Sequence, residues 1–219
     1  MTKERHSIMI IDDHPIIHDG LKILLSNEPD MEVSAAATSA SEALDVLECG
    51  LPDLAIVDLS MGDSDGLYLI QRIHAVYPGL KMIVYTMSEE RLFAKRAALA
   101  GARGYIMKTS PPPLLIKSLR DVLAGKLSFA PDILKRIEQS GGIGTAGSYS
   151  QLDTLSNREM DIFKLLGEGL DSIGISEKLN ISRNTVDTHR INIKNKLNLP
   201  SGKALERLAY ETIQQGKLP

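Results

Sequence analysis

Short apolar runs alternate with stretches of helical periodicity over the first 124 residues of the chain. The runs are residues 7–11, 31–36, 54–57, 81–86 and 104–107. Each run is short and ends at polar residues or a turn, as buried strands do. Between the runs, apolar residues recur every three or four positions, which is the spacing of an amphipathic helix. Five strands that alternate with five helices predict a parallel sheet with helices on both faces.

Capping residues, prolines and glycines set the limits of these five helices. The first begins at Pro15, and the second opens with Ser39 and Glu42, which have the spacing of a capping box. We predict helices over residues 15–28, from Ser39 to about 50, and over 67–76, 91–100 and 112–124.

Carboxylates follow two of the predicted strands. Asp58 follows the third run directly, so it should lie at the carboxyl edge of the sheet, where open α/β folds bind ligands. Asp12 and Asp13 follow the first run and should reach the same edge. Carboxylates this close repel one another unless a cation lies among them, and oxygen ligands suit Mg²⁺. Alternatively, the pair before Pro15 only caps a helix; the pair alone leaves both interpretations open.

Two further polar residues lie at the ends of the later strands. Thr86 ends the fourth run and Lys108 follows the fifth, so both should line the crevice around Asp58. Taken singly, the hydroxyl is typical of a helix cap and the lysine of a structural salt bridge. Taken together with the three carboxylates, they favour a chemical site.

The alternating pattern ends after Gly125. Residues 133–139 indicate a short helix, and the segment 141–148, GGIGTAGS, has the composition of a flexible linker. At 219 residues the chain is long enough for two domains with separate cores. We predict a first domain over residues 1–127, a flexible linker over 128–150 and a second domain over 151–219.

Helical signals fill the second domain. Ser156 and Glu159 form another capping box, Asn180 suits a turn, and Ser182 suits the cap of the helix that follows. Gly174 lies inside a helix, where it costs about 1 kcal/mol relative to alanine. We predict four helices, the first ending near residue 168 and the others spanning 172–179, 183–197 and 202–215.

The third of these helices has one apolar face and one face rich in amides. The apolar stripe, which should face the core, is Val186, His189, Ile193 and Leu197. The opposite face is Asn184, Thr188, Ile191 and Asn195. Amides read base edges in the major groove, and the neighbouring cations bind phosphates, so this helix suits DNA. The alternative is a polar face that contacts only solvent.

Charge is distributed unevenly, although the net charge is only −3. Residues 1–127 have 13 Lys and Arg against 17 Asp and Glu, a balance of −4, whereas residues 151–219 have 10 against 9, a balance of +1. Six basic residues lie within residues 178–203, where Asp187 is the only acid. This basic strip favours a polyanionic partner with a small footprint.

Composition narrows the class of protein further. The single cysteine, Cys49, excludes an internal disulfide and a zinc site built from cysteines. The first residues lack the apolar core of a signal peptide, and no apolar run approaches membrane-spanning length. We expect a cytoplasmic protein with no membrane partner.

Residues 7–124 resemble the receiver domain of bacterial two-component response regulators. The resemblance rests on residues that occur in the expected order on the expected elements: Asp12, Asp13, Asp58, Thr86, Tyr105 and Lys108. It implies a doubly wound, flavodoxin-like domain with a five-stranded parallel sheet, in which Asp58 accepts a phosphoryl group from a sensor histidine kinase. Thr86 and Tyr105 would form a switch, in which Thr86 moves toward the phosphoryl oxygen and Tyr105 rotates into the vacated space.

The same resemblance implies a cofactor. Asp13, Asp58 and the main-chain carbonyl of Ser60 would ligate Mg²⁺, with Asp12 acting mainly through water. Lys108 would neutralise the charge that develops on the phosphoryl oxygens.

Residues 152–199 resemble the four-helix helix-turn-helix domain of the NarL/FixJ/LuxR class. The matching elements are Arg-Glu, Gly, Leu-x-Ile-Ser and Thr-Val-x-x-His, whereas Asp187 and Ile191 replace lysines that often touch DNA in this class. The resemblance implies double-stranded promoter DNA as a partner and a homodimer when phosphorylated. The expected DNA contacts are Arg183, Asn184, Thr185, Thr188, Arg190, Asn192 and Lys194. The expected dimer contacts are Leu205, Leu208 and Thr212, a stripe that is also typical of a core.

These observations predict a transcription factor controlled by phosphorylation rather than an enzyme. An aspartyl-phosphate hydrolase would have a second aspartate two residues after the nucleophile, where this chain has Ser60. A regulator that works without phosphate stays open, because Gly62 and Thr109 stand where receivers commonly have proline.

Overall fold

The computed structural model describes residues 5–61, 64–144 and 151–214. The chain divides into two compact units, Met1–Ser148 and Tyr149–Pro219. Gly62 and residues 145–148 of the GGIGTAGS segment lie outside the described residues. Among the described helices, none combines the length and the apolar character that a bilayer crossing requires.

The first unit contains seven described strands: β1 His6–Ile11, β2 Met31–Ala37, β3 Leu54–Val57, β4 Ser60–Met61, β5 Ser64–Asp65, β6 Lys81–Thr86 and β7 Gly104–Met107. Five of them form a parallel sheet of order β2-β1-β3-β6-β7, and β4 and β5 form a short hairpin. Its helices are α1 Pro15–Ser26, α2 Ala40–Cys49, α3 Gly66–Val76, α4 Glu90–Ala100, α5 Pro112–Leu123 and α6 Pro131–Gln139. This strand order is the flavodoxin-like one, and the predicted α/β fold is confirmed.

The crevice of this sheet lies where β1 and β3 meet. Strand order reverses at this point, and ligands of open α/β sheets bind outside the carboxyl ends of such strands. Ile11 of β1 pairs with Val57 of β3, and the N–H of Asp58 donates to the carbonyl of Ile11. Both strands are buried on both faces, so each can place only its following residue at the open edge.

The hairpin of β4 and β5 was not predicted, because its polar sequence indicates only a loop. It pairs Ser60 with Asp65 in an antiparallel ladder directly after Asp58. Asp65 then caps α3 by accepting from the N–H of Leu67. A Cβ at Gly66 would lie 2.5 Å from the carbonyl oxygen of Asp58, so glycine allows α3 to begin against the back of this loop.

The predicted flexible linker over residues 128–150 requires correction. Ser128 bridges to Gly104, and the buried side chains of Ile133 and Ile137 pack α6 into the first unit, where α6 contacts α4. The N–H of Gly144 donates to the carbonyl of Ala98 in α4. Apolar residues four positions apart give α6 an amphipathic face that burial stabilises, so residues 128–144 belong to the packed structure.

The described part of the second unit forms four α-helices after a 3₁₀ turn at Gln151–Thr154. The helices are α7 Asn157–Gly167, α8 Ser172–Leu179, α9 Arg183–Lys196 and α10 Gly202–Gln214. Ser156 and Glu159 complete the predicted capping box of α7 in both directions. Asn180 ends α8 in the left-handed conformation at φ 51°, and Ser182 caps α9 by accepting from Thr185 N–H. The predicted all-α helix-turn-helix unit is confirmed.

The inner face of α10 packs against α7, which corrects the predicted dimer contacts. Leu205 is fully buried and Thr212 is 8% exposed, so both are core residues of their own unit. Leu208 is half-buried and stays a predicted contact. The helices approach closely at Gly167, where an added Cβ would lie 2.6 Å from the carbonyl oxygen of Ala209.

Gly167→Ala is expected to lower the free energy of unfolding of the second unit by about 1–3 kcal/mol, because α7 and α10 must separate to admit a methyl group. Gly174→Ala in α8 is the matched control, since its Cβ would meet no atom closer than 3.5 Å. Better helix propensity should make that control neutral or more stable by up to about 1 kcal/mol. Urea unfolding of the full chain, followed by circular dichroism, measures both; equal stability of the two variants would contradict this account of the packing.

Candidate functional site

Two buried carboxylates and one lysine form the centre of the crevice. Asp12 is 2% exposed and Asp58 is 3% exposed. The Nζ atom of Lys108 lies 2.6 Å from Asp12 Oδ2 and 2.7 Å from Asp58 Oδ2. Lys108 follows β7, and its N–H donates to the carbonyl of Thr86, so the sheet fixes the start of the side chain. The three residues that the sequence places at strand ends therefore meet.

The charge on Lys108 depends on both carboxylates. Burial works against the charged form, but hydrogen bonds to Asp12 and Asp58 outweigh it and raise the pKa of Lys108 above its usual value. The ammonium is therefore charged at neutral pH and compensates two acids that water barely reaches. Removing one member of such a buried group is strongly destabilising, because the remaining charges lose their partner.

Oxygen ligands for a divalent ion converge beside this lysine. One ligand atom from each of Asp12, Asp13, His14 and Asp58 lies within 4.8 Å of the others. Asp13 Oδ1 is buried and accepts no hydrogen bond, although the ring Nδ1 of His14 is 2.7 Å away as an ion-pair contact. A buried carboxylate oxygen that lacks a hydrogen-bond donor fits a hard cation such as Mg²⁺.

The alternative role for the acidic pair, a helix cap, fits the structure less well. The N-cap residue of α1 is His14, and its side chain makes no cap hydrogen bond. Asp12 Oδ1 does accept from the N–H of His14 at 3.0 Å, but Asp12 Oδ2 contacts Lys108. The main contacts of the aspartates therefore lie in the crevice, and only one oxygen of Asp12 also accepts a hydrogen bond at the start of α1.

Ser60 contacts the central carboxylate through its backbone. Its N–H donates to Asp58 Oδ1 at 3.2 Å, so the Asp58 side chain is held from one side by Ser60 and from the other by Lys108. The role of the Ser60 carbonyl as a metal ligand stays a prediction.

Thr86 and Tyr105, the predicted switch residues, are joined by Ser88. Thr86 is fully buried, and its Oγ1 accepts from the N–H of Ser88 at 3.3 Å. Tyr105 is 2% exposed, and its hydroxyl donates to the carbonyl of Ser88 at 3.0 Å. In this structure the tyrosine ring therefore already occupies an inward position.

Three residues that organise the crevice were not predicted from the sequence. Ser88 acts through its backbone, and His14 and His18 lack the spacing of a metal motif. His18 is buried, and its Nε2 lies 2.6 Å from the carbonyl oxygen of Asp12, which fixes the loop that carries the acids. A search for polar residues two positions beyond each strand end would have found Ser88, which follows the end of β6 at Thr86.

In the second unit, α9 presents a polar face away from the core. Val186 and Ile193 are buried on its inner side. Asn184, Thr185, Thr188 and Asn192, which are predicted DNA contacts, are exposed, and so is Ile191. The hydroxyl of Thr188 donates to the carbonyl of Asn184, so part of its hydrogen-bonding capacity is used within the helix.

Arg190, a predicted contact to the DNA backbone, is held inside its own unit, and its DNA contact stays a prediction. Its guanidinium donates to the hydroxyl of Ser172 at 3.0 Å and to the carboxylate of Glu206, and the side chain is only 20% exposed. The Ser172 hydroxyl in turn donates to Asp187 at 2.6 Å. These four residues form a polar chain that ties α9 to α8 and α10, so Arg190 and Asp187 have an internal role that short-range spacing does not predict.

Two family models match the chain. The model of the response regulator receiver domain matches residues 8–120, and the model of the bacterial regulatory proteins of the luxR family matches residues 153–209. The first range contains every residue of the crevice, and the second contains all of α9.

Curated relatives match over nearly the whole length. The chain is 34% identical over 211 residues to the oxygen regulatory protein NreC of Staphylococcus epidermidis, which covers 93% of this chain and 96% of NreC. It is 31% identical over 210 residues to NreC of Staphylococcus aureus, with the same coverage.

Solved structures of response regulators are also similar to this chain. RcsB from Salmonella enterica serovar Typhimurium, bound to promoter rprA in the presence of phosphomimetic BeF₃⁻, has a TM-score of 0.58 and 26% identity, with coverage of 93% of this chain and 98% of that one. A LuxR-family two-component response regulator from Aurantimonas sp. SI85-9A1 has a TM-score of 0.57 and 32% identity, with coverage of 62% of this chain and 97% of that one. A structure of two RcsB dimers on two parallel DNAs has a TM-score of 0.55 and 26% identity, with coverage of 93% and 97%.

Lys108→Met is expected to lower the free energy of unfolding of the first unit by about 3–5 kcal/mol, because Asp12 and Asp58 stay buried without their cation. Adding Mg²⁺ should recover part of this loss, since a divalent ion can replace the ammonium among the carboxylates. Urea unfolding of the full chain with and without Mg²⁺ is the measurement.

The control for this variant is Lys126→Met, which removes a lysine that is 71% exposed and lies 3.7 Å from Asp121. Its effect should stay below about 1 kcal/mol. A Lys108→Met protein as stable as the parent would show that the lysine does not balance the buried acids.

Proposed function

This chain belongs to the bacterial response regulators that join a receiver domain to a luxR-family DNA-binding domain, and we propose that phosphorylation of Asp58 controls how it binds promoter DNA. As a member of this family it is a DNA-binding regulator of transcription. Our proposal concerns three further points: Asp58 as the phosphoryl acceptor, Mg²⁺ as the metal, and phosphorylation as the means of control.

The observation that carries the proposal is the buried contact of Lys108 with Asp58 beside Asp12 and Asp13. Phosphoryl transfer requires a nucleophile, a divalent ion that spans it and the phosphate, and positive charge for the equatorial oxygens. The crevice supplies a carboxylate, a set of oxygen ligands and a charged lysine within a few ångströms of one another.

The donor in this proposal is the phosphohistidine of a sensor histidine kinase. A carboxylate oxygen of Asp58 forms the new bond to phosphorus while the bond from phosphorus to the histidine nitrogen breaks, and the histidine keeps that electron pair. Asp12, Asp13 and Asp58 would hold Mg²⁺, which lowers the repulsion between the incoming phosphoryl group and the acids. Lys108 would then pair with a phosphoryl oxygen in addition to the carboxylates.

The switch rests on the chain from Thr86 through Ser88 to Tyr105. A phosphoryl oxygen at Asp58 is charged, so it would accept a stronger hydrogen bond from the Thr86 hydroxyl than a neutral oxygen would. The hydrogen bond from the Tyr105 hydroxyl to the Ser88 carbonyl would keep the tyrosine ring inward. Phosphorylation would thus favour the inward arrangement over an outward one. Ser88 lies two residues before α4, which packs against α6, so the local change has a direct route across this unit.

Promoter DNA is the proposed target, and a homodimer is the proposed binding species. RcsB is bound to promoters and found as dimers on DNA, and it matches both units of this chain. The second unit of this chain has little net positive charge, so two copies of the chain would be needed for useful affinity for DNA. We propose that phosphoryl transfer from the kinase and binding to the promoter both take place in the cytoplasm. We also propose that the protein does not turn over a free substrate, because Ser60 stands where an aspartyl-phosphate hydrolase needs a second aspartate.

Treatment with acetyl phosphate and Mg²⁺ is expected to add one phosphoryl group of about 80 Da, and Asp58→Asn should abolish this gain because the amide is not a nucleophile. Intact-protein mass spectrometry measures the gain. Asp53→Asn is the matched control, since that carboxylate belongs to the same unit but is 49% exposed. Equal labelling of the Asp58 variant and the parent would reject the assigned acceptor.

Phosphorylated full-length protein is expected to bind promoter DNA with an affinity that falls as salt rises, because lysines and arginines release counterions from phosphates. Lys194→Met should reduce the slope of log affinity against log salt by about one. Lys135→Met, an exposed lysine of the first unit, should leave the slope unchanged. Binding that does not depend on salt, or no binding to any promoter, would reject the DNA-binding role of α9.

A further inference from the structure

The exposed face of α9 has no cation at its centre. It consists of Asn184, Thr188, Ile191 and Asn195, which lie within about 60° of one another around the helix, and all four are exposed. Ile191 is 56% exposed, and its neighbours on this face are amides and a hydroxyl. More than half of this apolar side chain is in contact with solvent, which is unfavourable for an isoleucine unless a partner covers it.

Most cations of α9 are paired with acids. Arg190 binds Glu206, Lys196 lies 2.7 Å from the buried carboxylate of Glu159, and Arg183 lies 3.7 Å from Asp187. Among the described residues, Lys194 is the basic residue of α9 with no ion-pair partner; helix geometry places it outside the arc of the four face residues, and it lines a groove together with Ile191.

These two observations bear on which bases α9 can read. The commonest specific contact in the major groove is an arginine or lysine that binds guanine O6 and N7. An apolar side chain instead contacts the C5 methyl group of thymine, and asparagine pairs with adenine N6 and N7. The centre of the exposed face of α9 has an apolar side chain and asparagines and has no arginine or lysine.

We propose that α9 selects T·A base pairs, with Ile191 packed against the C5 methyl group of a thymine in each half-site. Asn184 lies two turns nearer to the helix N-terminus, the end that contacts base edges in helix-turn-helix proteins, and reads an adenine of the same half-site. This inference rests on the proposed function and specifies the class of DNA sequence that the second unit recognises.

The test begins with selection of bound sequences from random double-stranded DNA by the full-length protein after treatment with acetyl phosphate and Mg²⁺. The selected half-site should contain a T·A pair at a fixed position. Replacing that thymine by deoxyuridine removes only the methyl group and should weaken binding about fourfold, the effect of one buried methyl group. The same replacement at other thymines of the site should have no effect.

Two variants connect the methyl group to the side chain. Ile191→Ala should bind thymine and deoxyuridine DNA equally, so the fourfold difference should disappear in a double-mutant cycle. Ile173→Ala is the matched control, because Ile173 lies on α8, is 50% exposed and should leave the fourfold difference in place. Both variants change exposed side chains and should keep the fold.

The outcomes separate this inference from the proposed function. A selected site made of G·C pairs, or binding unaffected by deoxyuridine at every thymine, would overturn the role of Ile191 while the chain remained a DNA-binding regulator. A persistent deoxyuridine effect in Ile191→Ala would also overturn it. Failure to select any sequence would reject the proposed function itself, and with it the inference.

Discussion

The balance between Lys108 and the buried carboxylates Asp12 and Asp58 is the constraint on which the first unit depends. Neither acid is accessible enough for water to compensate its charge, and the lysine is within 2.7 Å of both. Such a group is stable only while its charges match, so adding a phosphoryl group or a divalent ion at this point must change the balance. The same interaction therefore stabilises the unphosphorylated sheet edge and makes that edge responsive to new charge.

A second polar group, the chain from Asp187 through Ser172 and Arg190 to Glu206, has the corresponding place in the second unit. It fixes α9 against α8 and α10 and uses the guanidinium of Arg190 for contacts inside the unit. The position of the helix is thereby set within the protein, while our proposal leaves base recognition to uncharged groups and one apolar side chain. Affinity from phosphate contacts and specificity from base contacts would then be carried by different residues.

Local patterns predicted the elements well where each has its own signal, and they failed where the signal is non-local. The strand 54–57 and the helix Ser172–Leu179 were predicted with their observed limits, because apolar runs and caps act over a few residues. The hairpin after Asp58 and the packing of α6 were missed, since a polar loop and a short helix gain stability only from the surface beneath them. The apolar stripe of α10 likewise did not show that Leu205 is buried in its own unit, because that burial depends on the neighbouring helix α7.

The sequence by itself determined the order of strands and helices, the residues at each strand end and the amide-rich face of α9, because these follow from periodicity and from neighbours along the chain. It also indicated that acids and a lysine would meet, since parallel strands end at one edge. Only the tertiary structure decided which charges are partnered. Lys108 is shared by two acids, Arg190 is held by Glu206, and Lys194 forms no ion pair among the described residues. Pairing of this kind joins residues far apart in the chain, and distance in space rather than in sequence sets its energy.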